Sequence, residues 1–427
     1  MIVIFTFALL VLLAIGVPVA FSLGASGLLG MVLFMPGDGA LEQIPILAYK
    51  ALDDFVLCAV PLYILMSAIL LKGKVGEDLF DLGNKWLRHL PGGLGIATIV
   101  ACGIFAAITG SSVACAVTVG AIAIPEMLKR GYDRSVVLGA VAGGGSPQMG
   151  ILIPPSIPMI LYGSITGESI GQLFMSGVLP GVLMTVFFIF IVVYRSRHLK
   201  LEKKAPLSER FAALKGSIWG LLLPVIVVGG IYTGAFTPTE AAAVGTVYAL
   251  FITFVIYRTL SVKDLPGILM ETVGTSAMIF AIMIGASLFG FVLTILQVPQ
   301  ALTMMVAEVE VSRWVFFILI NLLLLFLGCI LETVSIIFIT VPILYPIIKQ
   351  LGFDPIWFNV VMQINMEMAL ITPPVGMNLF VLKGVSPESR MEDIIRGVIP
   401  YIGVMAVEIL FLCFVPELAT WLPSVVK

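Results

Sequence analysis

The sequence predicts an all-α polytopic membrane protein built from two inverted-topology repeats, each holding a re-entrant helical hairpin and a broken transmembrane helix. Three observations carry this. The 427-residue chain is 60% hydrophobic and only 11% charged, whereas soluble domains carry about 25% charged residues. Two strongly apolar segments are interrupted by residues that cannot continue a helix: Gly143-Gly-Gly-Ser-Pro-Gln-Met-Gly-Ile-Leu-Ile-Pro-Pro-Ser156 and Ile371-Thr-Pro-Pro-Val-Gly-Met-Asn378. The chain also matches itself at an offset near 220 residues.

Composition bounds the class further. Transmembrane β-strands alternate apolar and polar residues, and the long unbroken apolar runs here exclude a barrel. The cysteines at 58, 102, 115, 329 and 413 lie in apolar stretches without metal-ligand spacing and read as small buried hydrophobes. His89 and His198 sit among charged loop residues, which argues against a histidine metal site or proton relay. No nucleic-acid partner is expected.

The repeat rests on order and constancy rather than on any single match. Gly16-Val-Pro18 faces Phe236-Thr-Pro238, and Gly131-Tyr-Asp133 faces Gly352-Phe-Asp354. Pro154-Pro155 faces Pro373-Pro374, and Val178-Leu-Pro180 faces Val398-Ile-Pro400.

The first repeat, 1–195, opens on Met1-Ile-Val-Ile-Phe-Thr-Phe, which lacks the positive start of a cleaved signal peptide and reads as the first membrane helix. Helices are expected at about 2–16, 20–35 and 55–71, followed by an amphipathic interfacial arm, 75–90. Apolar runs at about 94–109 and 113–128 are each short for the roughly 20 residues of a full crossing. Joined by Thr109-Gly-Ser-Ser112, they fit a hairpin that enters and leaves on one side (94–128). The broken helix spans about 135–165 and a last crossing about 176–194.

A charged linker, 196–217, leads to the second repeat, 218–427. Helices are expected there at about 218–234, 240–257 and 275–296. A hairpin follows at 314–348 with its tip at Leu331-Glu-Thr333, then a broken helix at 356–382 and a final span at 397–415. Each repeat crosses five times net, and an odd number inverts the second relative to the first. Positive charge agrees with this topology. With the N-terminus periplasmic, the linker cytoplasmic and the C-terminus periplasmic, all of the 23 Lys and Arg except Lys50, Arg313, Lys349 and Lys427 fall inside. The two hairpins then open from opposite sides, and their tips meet near the midplane.

The residues at that midplane are rich in oxygen and poor in cations. The tips supply Ser111 and Ser112 in one half, Glu332 and Thr333 in the other. The breaks supply Gly144, Ser146, Gln148 and Gly150, then Thr372, Gly376 and Asn378, beside Pro154 and Pro373. Unwound carbonyls and hydroxyls in broken helices ligate hard cations, and helix N-termini at the same breaks suit a carboxylate. Plainer readings exist for each. A membrane Ser or Thr often bonds back to its own helix, a double proline often marks only a kink, and Glu332 could serve to stabilise its hairpin. Glu367 and Glu408 raise the same question more weakly, since either could sit near an interface.

Thr109-Gly-Ser-Ser-Val-Ala114, Gly144-Gly-Ser-Pro-Gln-Met-Gly-Ile-Leu-Ile-Pro-Pro-Ser156 and Ile371-Thr-Pro-Pro-Val-Gly-Met-Asn-Leu-Phe380 resemble the large membrane subunit of TRAP (tripartite ATP-independent periplasmic) transporters. The resemblance covers essentially the whole chain. It implies a multi-pass protein of the bacterial inner membrane that imports organic anions, driven by sodium, through an elevator motion. In that motion the hairpins and broken helices travel against a scaffold made by the other helices, among them those within 2–71. It implies two partners, a small membrane subunit of about four spans and a periplasmic substrate-binding protein. Separate rather than fused subunits are expected, since the two repeats use up the chain. By motif, Ser111, Ser112, Gly144, Ser146 and Gly150 would form one sodium site, and Thr333, Thr372, Gly376 and Asn378 another. Substrate would lie near Ser112, Gln148, Pro154, Glu332 and Pro373.

Co-transported Na+ is the only metal implied, with no organic cofactor. A self-sufficient sodium–carboxylate symporter is the alternative. An enzyme is not expected, because the spans hold no nucleophile–base pair or metal cluster. The resemblance implies a substrate of sialic-acid or C4-dicarboxylate type, with sialic acid the first expectation.

Overall fold

The computed structural model describes residues 2–35, 39–73, 75–110, 112–145, 151–199, 201–308 and 312–425. Among them the chain is helical, without strands. The first half of the chain contains α1 (Ile2–Ala14), α2 (Val19–Phe34), α3 (Gly39–Leu52), α4 (Ala59–Lys72), α5 (Val75–Leu87), α6 (Gly93–Thr109) and α7 (Ser112–Lys129). It continues with α8 (Arg134–Gly139), which runs into a π-helical turn at Ala140–Gly145, then α9 (Ile157–Thr166) and α10 (Ile170–Ser196). The second contains α11 (Leu207–Tyr232), α12 (Pro238–Phe251), α13 (Leu265–Ile295), α14 (Val298–Glu308), α15 (Arg313–Gly328) and α16 (Thr333–Gln350). It ends with α17 (Pro355–Leu370), α18 (Met377–Val385), α19 (Met391–Phe414) and α20 (Glu417–Val425). Eight segments among the described residues are long and apolar enough to cross a membrane.

Several boundaries differ from the sequence reading. The second arm of each hairpin, α7 and α16, is 18 residues long and passes as a crossing by length. The segment 196–217 is not all linker, since α11 starts at Leu207. Helix α13 starts at Leu265 instead of near 275; its 31 residues span about 46 Å, well beyond a hydrocarbon core of about 30 Å. Helices continue into water wherever their polar turns still satisfy the backbone, so apolar runs understate them. Helices α3, α14 and α20 were not anticipated at all. Their sequences mix prolines and polar residues into short apolar stretches.

Positions matched in sequence at the offset near 220 fold alike locally. Gly131 and Gly352 both adopt positive φ, +80° and +74°. Asp133 and Asp354, two residues later, cap the helices leading into the breaks by accepting the N–H groups of Ser135 and of Ile356 and Trp357. The Ser135 hydroxyl also donates to Asp133 and holds its carboxyl below the usual carboxylate range. Both Pro154–Pro155 and Pro373–Pro374 are cis.

Packing relies on small residues and on carbonyl acceptors, as expected where burial in lipid supplies little drive between helices. Helices α2 and α13 approach so closely that a Cβ on Gly27 would lie 2.8 Å from the Leu288 backbone. Helix α4 is tied to α12 through Thr246 Oγ1, which donates to Leu62 O at 2.9 Å, and through Tyr63, which donates to Pro238 O at 3.1 Å. Helices α8 and α19 cross at Gly139 and Gly397, where a Cβ on Gly397 would lie 2.4 Å from Ser135 O. The amphipathic α5 is a brace. Ser217 donates to Asp78 O, Trp86 to Arg210 O and Arg88 to Lys203 O, which pins the charged segment after α10 against it. Arg130 adds ion pairs to Glu126 and Glu202.

Candidate functional site

Each hairpin tip rests on the break in its own half of the chain. Helix α6 ends at Gly110, whose φ of +62° closes the C-cap and whose N–H donates to Ala106 O at 2.7 Å. A side chain there would meet Pro155 O at 3.3 Å. In the second half the carbonyl of Cys329, just past α15, accepts the N–H of Gly376 at 3.4 Å, and its thiol lies 3.7 Å from Pro373 O. Gly376 holds a φ of +60° at the start of α18, a left-handed turn that favours glycine.

Between the two tips lies a cavity of about 280 Å³. The first tip contributes Thr109, Gly110 and Ser112, the second Glu332 and Thr333. Flanks of both breaks close it with Ile157, Pro158, Leu370 and Met377. The remaining wall comes from outside the hairpins: Ser67 on α4 and Glu271 and Thr275 on α13. Its polar lining is hydroxyls and two carboxylates, with no Lys, Arg or His among the described lining residues. Charge of one sign in a cleft with low-dielectric walls raises the local concentration of the opposite sign, so the cavity favours cations.

The structure thus brings Ser112, Glu332 and Thr333 to one space. Glu332 occupies the N-cap of α16 and accepts a hydrogen bond from Ser335 at 3.4 Å. Of the other expected ligands, Gly144, Thr372, Gly376 and Asn378 lie around the breaks and are not among the described residues that line the cavity. Thr372 bonds back to Met368 O at 2.6 Å, as the plainer reading allows, and its hydroxyl oxygen keeps lone pairs for an ion. Asn378 is fully buried, and neither Oδ1 nor Nδ2 finds a partner. A buried amide left unpaired costs about 1–3 kcal/mol, and the Oδ1 of this side chain fits a cation as a ligand. Gly144 lies where a Cβ would be 2.6 Å from the Tyr401 ring, a packing reason for glycine that stands beside the ligand reading. Pro154 is buried and Pro373 exposed. Ser111, Ser146, Gln148 and Gly150 lie outside the described residues.

Sequence reasoning missed the wall supplied by α4 and α13. Nothing local marks Ser67, Glu271 or Thr275, which reach the cavity only through the packing of α4 and α13. It also underrated α17. Asn359, Gln363, Asn365 and Glu367 are all at most 1% exposed. Asn365 donates to Asn321 Oδ1 at 2.8 Å and ties α17 to α15. Their spacing was the available signal.

Comparison with known proteins follows the same lines. The family model for the tripartite ATP-independent periplasmic transporter, DctM component, matches residues 6–418. The chain is 40% identical over 405 residues to the C4-dicarboxylate TRAP transporter large permease protein DctM of Pseudomonas aeruginosa, covering 94% of each chain. It is 34% identical over 422 residues to the sialic acid TRAP transporter large permease protein SiaM of Vibrio cholerae, covering 98% of this chain and 97% of that one. The crystal structure of the Alcanivorax borkumensis YdaH transporter, described as having an unusual topology, shares the fold with a TM-score of 0.64 at 14% identity, over 89% of this chain and 90% of that one. By sequence over nearly its whole length, the chain belongs to the DctM component family of tripartite ATP-independent periplasmic transporters.

Proposed function

We propose that this chain is the large membrane subunit of a sodium-coupled, binding-protein-dependent importer of organic anions. The observation that carries this reading is the cavity between the hairpin tips. It holds two carboxylates and no cationic side chain among its described lining residues, so an anionic substrate needs accompanying cations to enter. Hydroxyls at both tips and the unpartnered amide of Asn378 supply oxygen for such ions.

An elevator motion is supported by how contacts divide. The first tip approaches its break at Gly110 and Pro155, the second bonds to its break through Cys329 and Gly376, α2 packs on α13 and α4 on α12, and the cavity lies on the seam between these groups. The topology consistent with the positive charges has periplasmic termini, a cytoplasmic linker and a second repeat inverted on the first. Family membership supports two partners, a small membrane subunit of about four spans and a periplasmic substrate-binding protein. Identity is higher to the C4-dicarboxylate relative than to the sialic-acid one, 40% against 34%, which makes C4-dicarboxylates the first substrates to assay and sialic acids the second.

Reconstitution tests the reading. Proteoliposomes holding this chain and the small subunit, supplied with loaded binding protein, should take up substrate only under an inward sodium gradient. Full uptake with potassium in place of sodium would refute sodium coupling, and accumulation by this chain alone would make it a self-sufficient symporter.

A further inference from the structure

Helix α17 carries a polar column that the cavity does not use. Asn359, Gln363 and Glu367 recur at i, i+4 and i+8, on one face of the helix. Gln363 donates through Nε2 to Asn359 Oδ1 at 3.0 Å. Its own Oε1 and both carboxyl oxygens of Glu367 meet no donor, though the residues are buried to 1% exposure or less. The column ends one turn ahead of the break at Ile371. Glu367 precedes Pro373 by as many residues as Gln148 precedes Pro154, so an acid stands where the first repeat has a neutral amide.

An ionised carboxylate there would carry an uncompensated desolvation cost of several kcal/mol, and the neighbouring helices do not offset it. Arg313 on α15 stacks over Trp314 and Phe353. Lys349 on α16 bonds to Tyr345, which itself bonds to Glu168. Tyr162 on α9 donates to Pro355 O, and Arg195 on α10 donates to Ser135. Lys383 on α18 is held by the carbonyls of Pro387 and Ser389. On α19, Glu392 and Arg396 are exposed, Tyr401 packs edge-on against Phe188, and Glu408 is buried without a partner of its own. Glu417 on α20 is exposed. None of these groups makes an ion pair or hydrogen bond with Glu367. A hard metal cation gathers about six or more oxygens, far more than Glu367 and Gln363 supply together. A proton needs one.

We infer that Glu367 is a proton-binding site: the chain holds one proton on this carboxyl while the α17 column is closed, and gives it to water when the second break opens. Only an O–H bond is made and broken, between Glu367 and water. The consequence, a proton moved in addition to sodium, rests on the importer reading above; the protonated carboxyl does not.

Infrared difference spectroscopy of the purified chain at neutral pH tests it. The wild type should show a carboxylic-acid C=O band, distinct from any band of Glu408, that Glu367→Gln loses and that Glu408→Gln leaves in place. Glu367→Asp, which should shift the band, serves if the glutamine variant does not fold. A difference spectrum with carboxylate bands alone overturns the proposal. In the reconstituted complex, wild-type uptake at a fixed sodium gradient should depend on pH, and Glu367→Gln should lose that dependence while keeping its sodium dependence. Identical pH profiles overturn the coupling. No uptake by either protein, with the acid band present, counts against the importer reading and leaves the proton site standing.

Discussion

Replacing Asn378 by leucine removes two buried polar atoms and nearly preserves side-chain shape. Both amide atoms are unpartnered at 0% exposure, and an unsatisfied buried polar group costs about 1–3 kcal/mol. Without sodium, the variant should therefore equal the parent in stability or exceed it by up to about 3 kcal/mol. Sodium reverses the order if Asn378 is a ligand. A bound ion stabilises the folded state by RT ln(1 + [Na+]/Kd), about 2.7 kcal/mol at one hundred times Kd, and the leucine variant gains little of it. Thermal unfolding of the detergent-purified chain, titrated with sodium chloride against choline chloride at constant ionic strength, reads both arms. The two stability curves should cross as sodium rises. A variant that is clearly less stable in sodium-free buffer, or that keeps the parent's sodium response, would refute the reasoning and make Asn378 a packing residue.

Other consequences are quickly checked. Ser112→Ala and Thr372→Ala should each raise the sodium concentration for half-maximal uptake about tenfold, the equivalent of about 1.4 kcal/mol of lost ligation, with expression unchanged; an unaltered sodium dependence returns those hydroxyls to a structural role. Gly397→Ala should lower the yield of folded protein, because its Cβ would lie 2.4 Å from the Ser135 carbonyl at the α8–α19 crossing; wild-type yield and melting would contradict that close approach. Asp133→Asn keeps an N-cap but loses the charge. Hydrogen bonding from Ser135 lowers the folded-state pKa of Asp133, so the parent's advantage should be complete above the usual aspartate range and vanish as pH falls through and below it; a pH-independent difference would rule out the charge as its cause. Single cysteines at the exposed positions Lys204 and Ser424 should label from opposite faces of the membrane, and labelling from one face would contradict the odd number of crossings per repeat.

The architecture was legible because its punctuation is unambiguous. Proline and glycine inside apolar stretches cannot hide, so both breaks and both tips could be placed from Pro154-Pro155, Pro373-Pro374, Gly110 and Glu332. Matched pairs such as Asp133 and Asp354 carried into matched helix caps. Helices α3 and α20 escaped because each holds a proline, Pro45 or Pro423, and too few consecutive apolar residues for a crossing. The site was half legible. Ser112, Glu332 and Thr333 share the cavity as their positions at the tips led one to expect. Glu271 and Thr275 belong to a long helix whose local sequence gives no hint of which face meets the tips. For Glu367 and Glu408 the sequence left an interfacial place open beside the roles weighed for Glu332, and tertiary packing buries them to 1% and 0% exposure.

The central claim is that sodium and a delivered anion move together through the cavity between the tips. Uptake of radiolabelled C4-dicarboxylate, and in parallel of sialic acid, into proteoliposomes bearing this chain with its small subunit tests it most directly. With loaded binding protein outside, an inward sodium gradient should drive accumulation of one of these anions above its external concentration, and collapsing the gradient should abolish it. Equal accumulation without sodium, or without binding protein, would contradict the account.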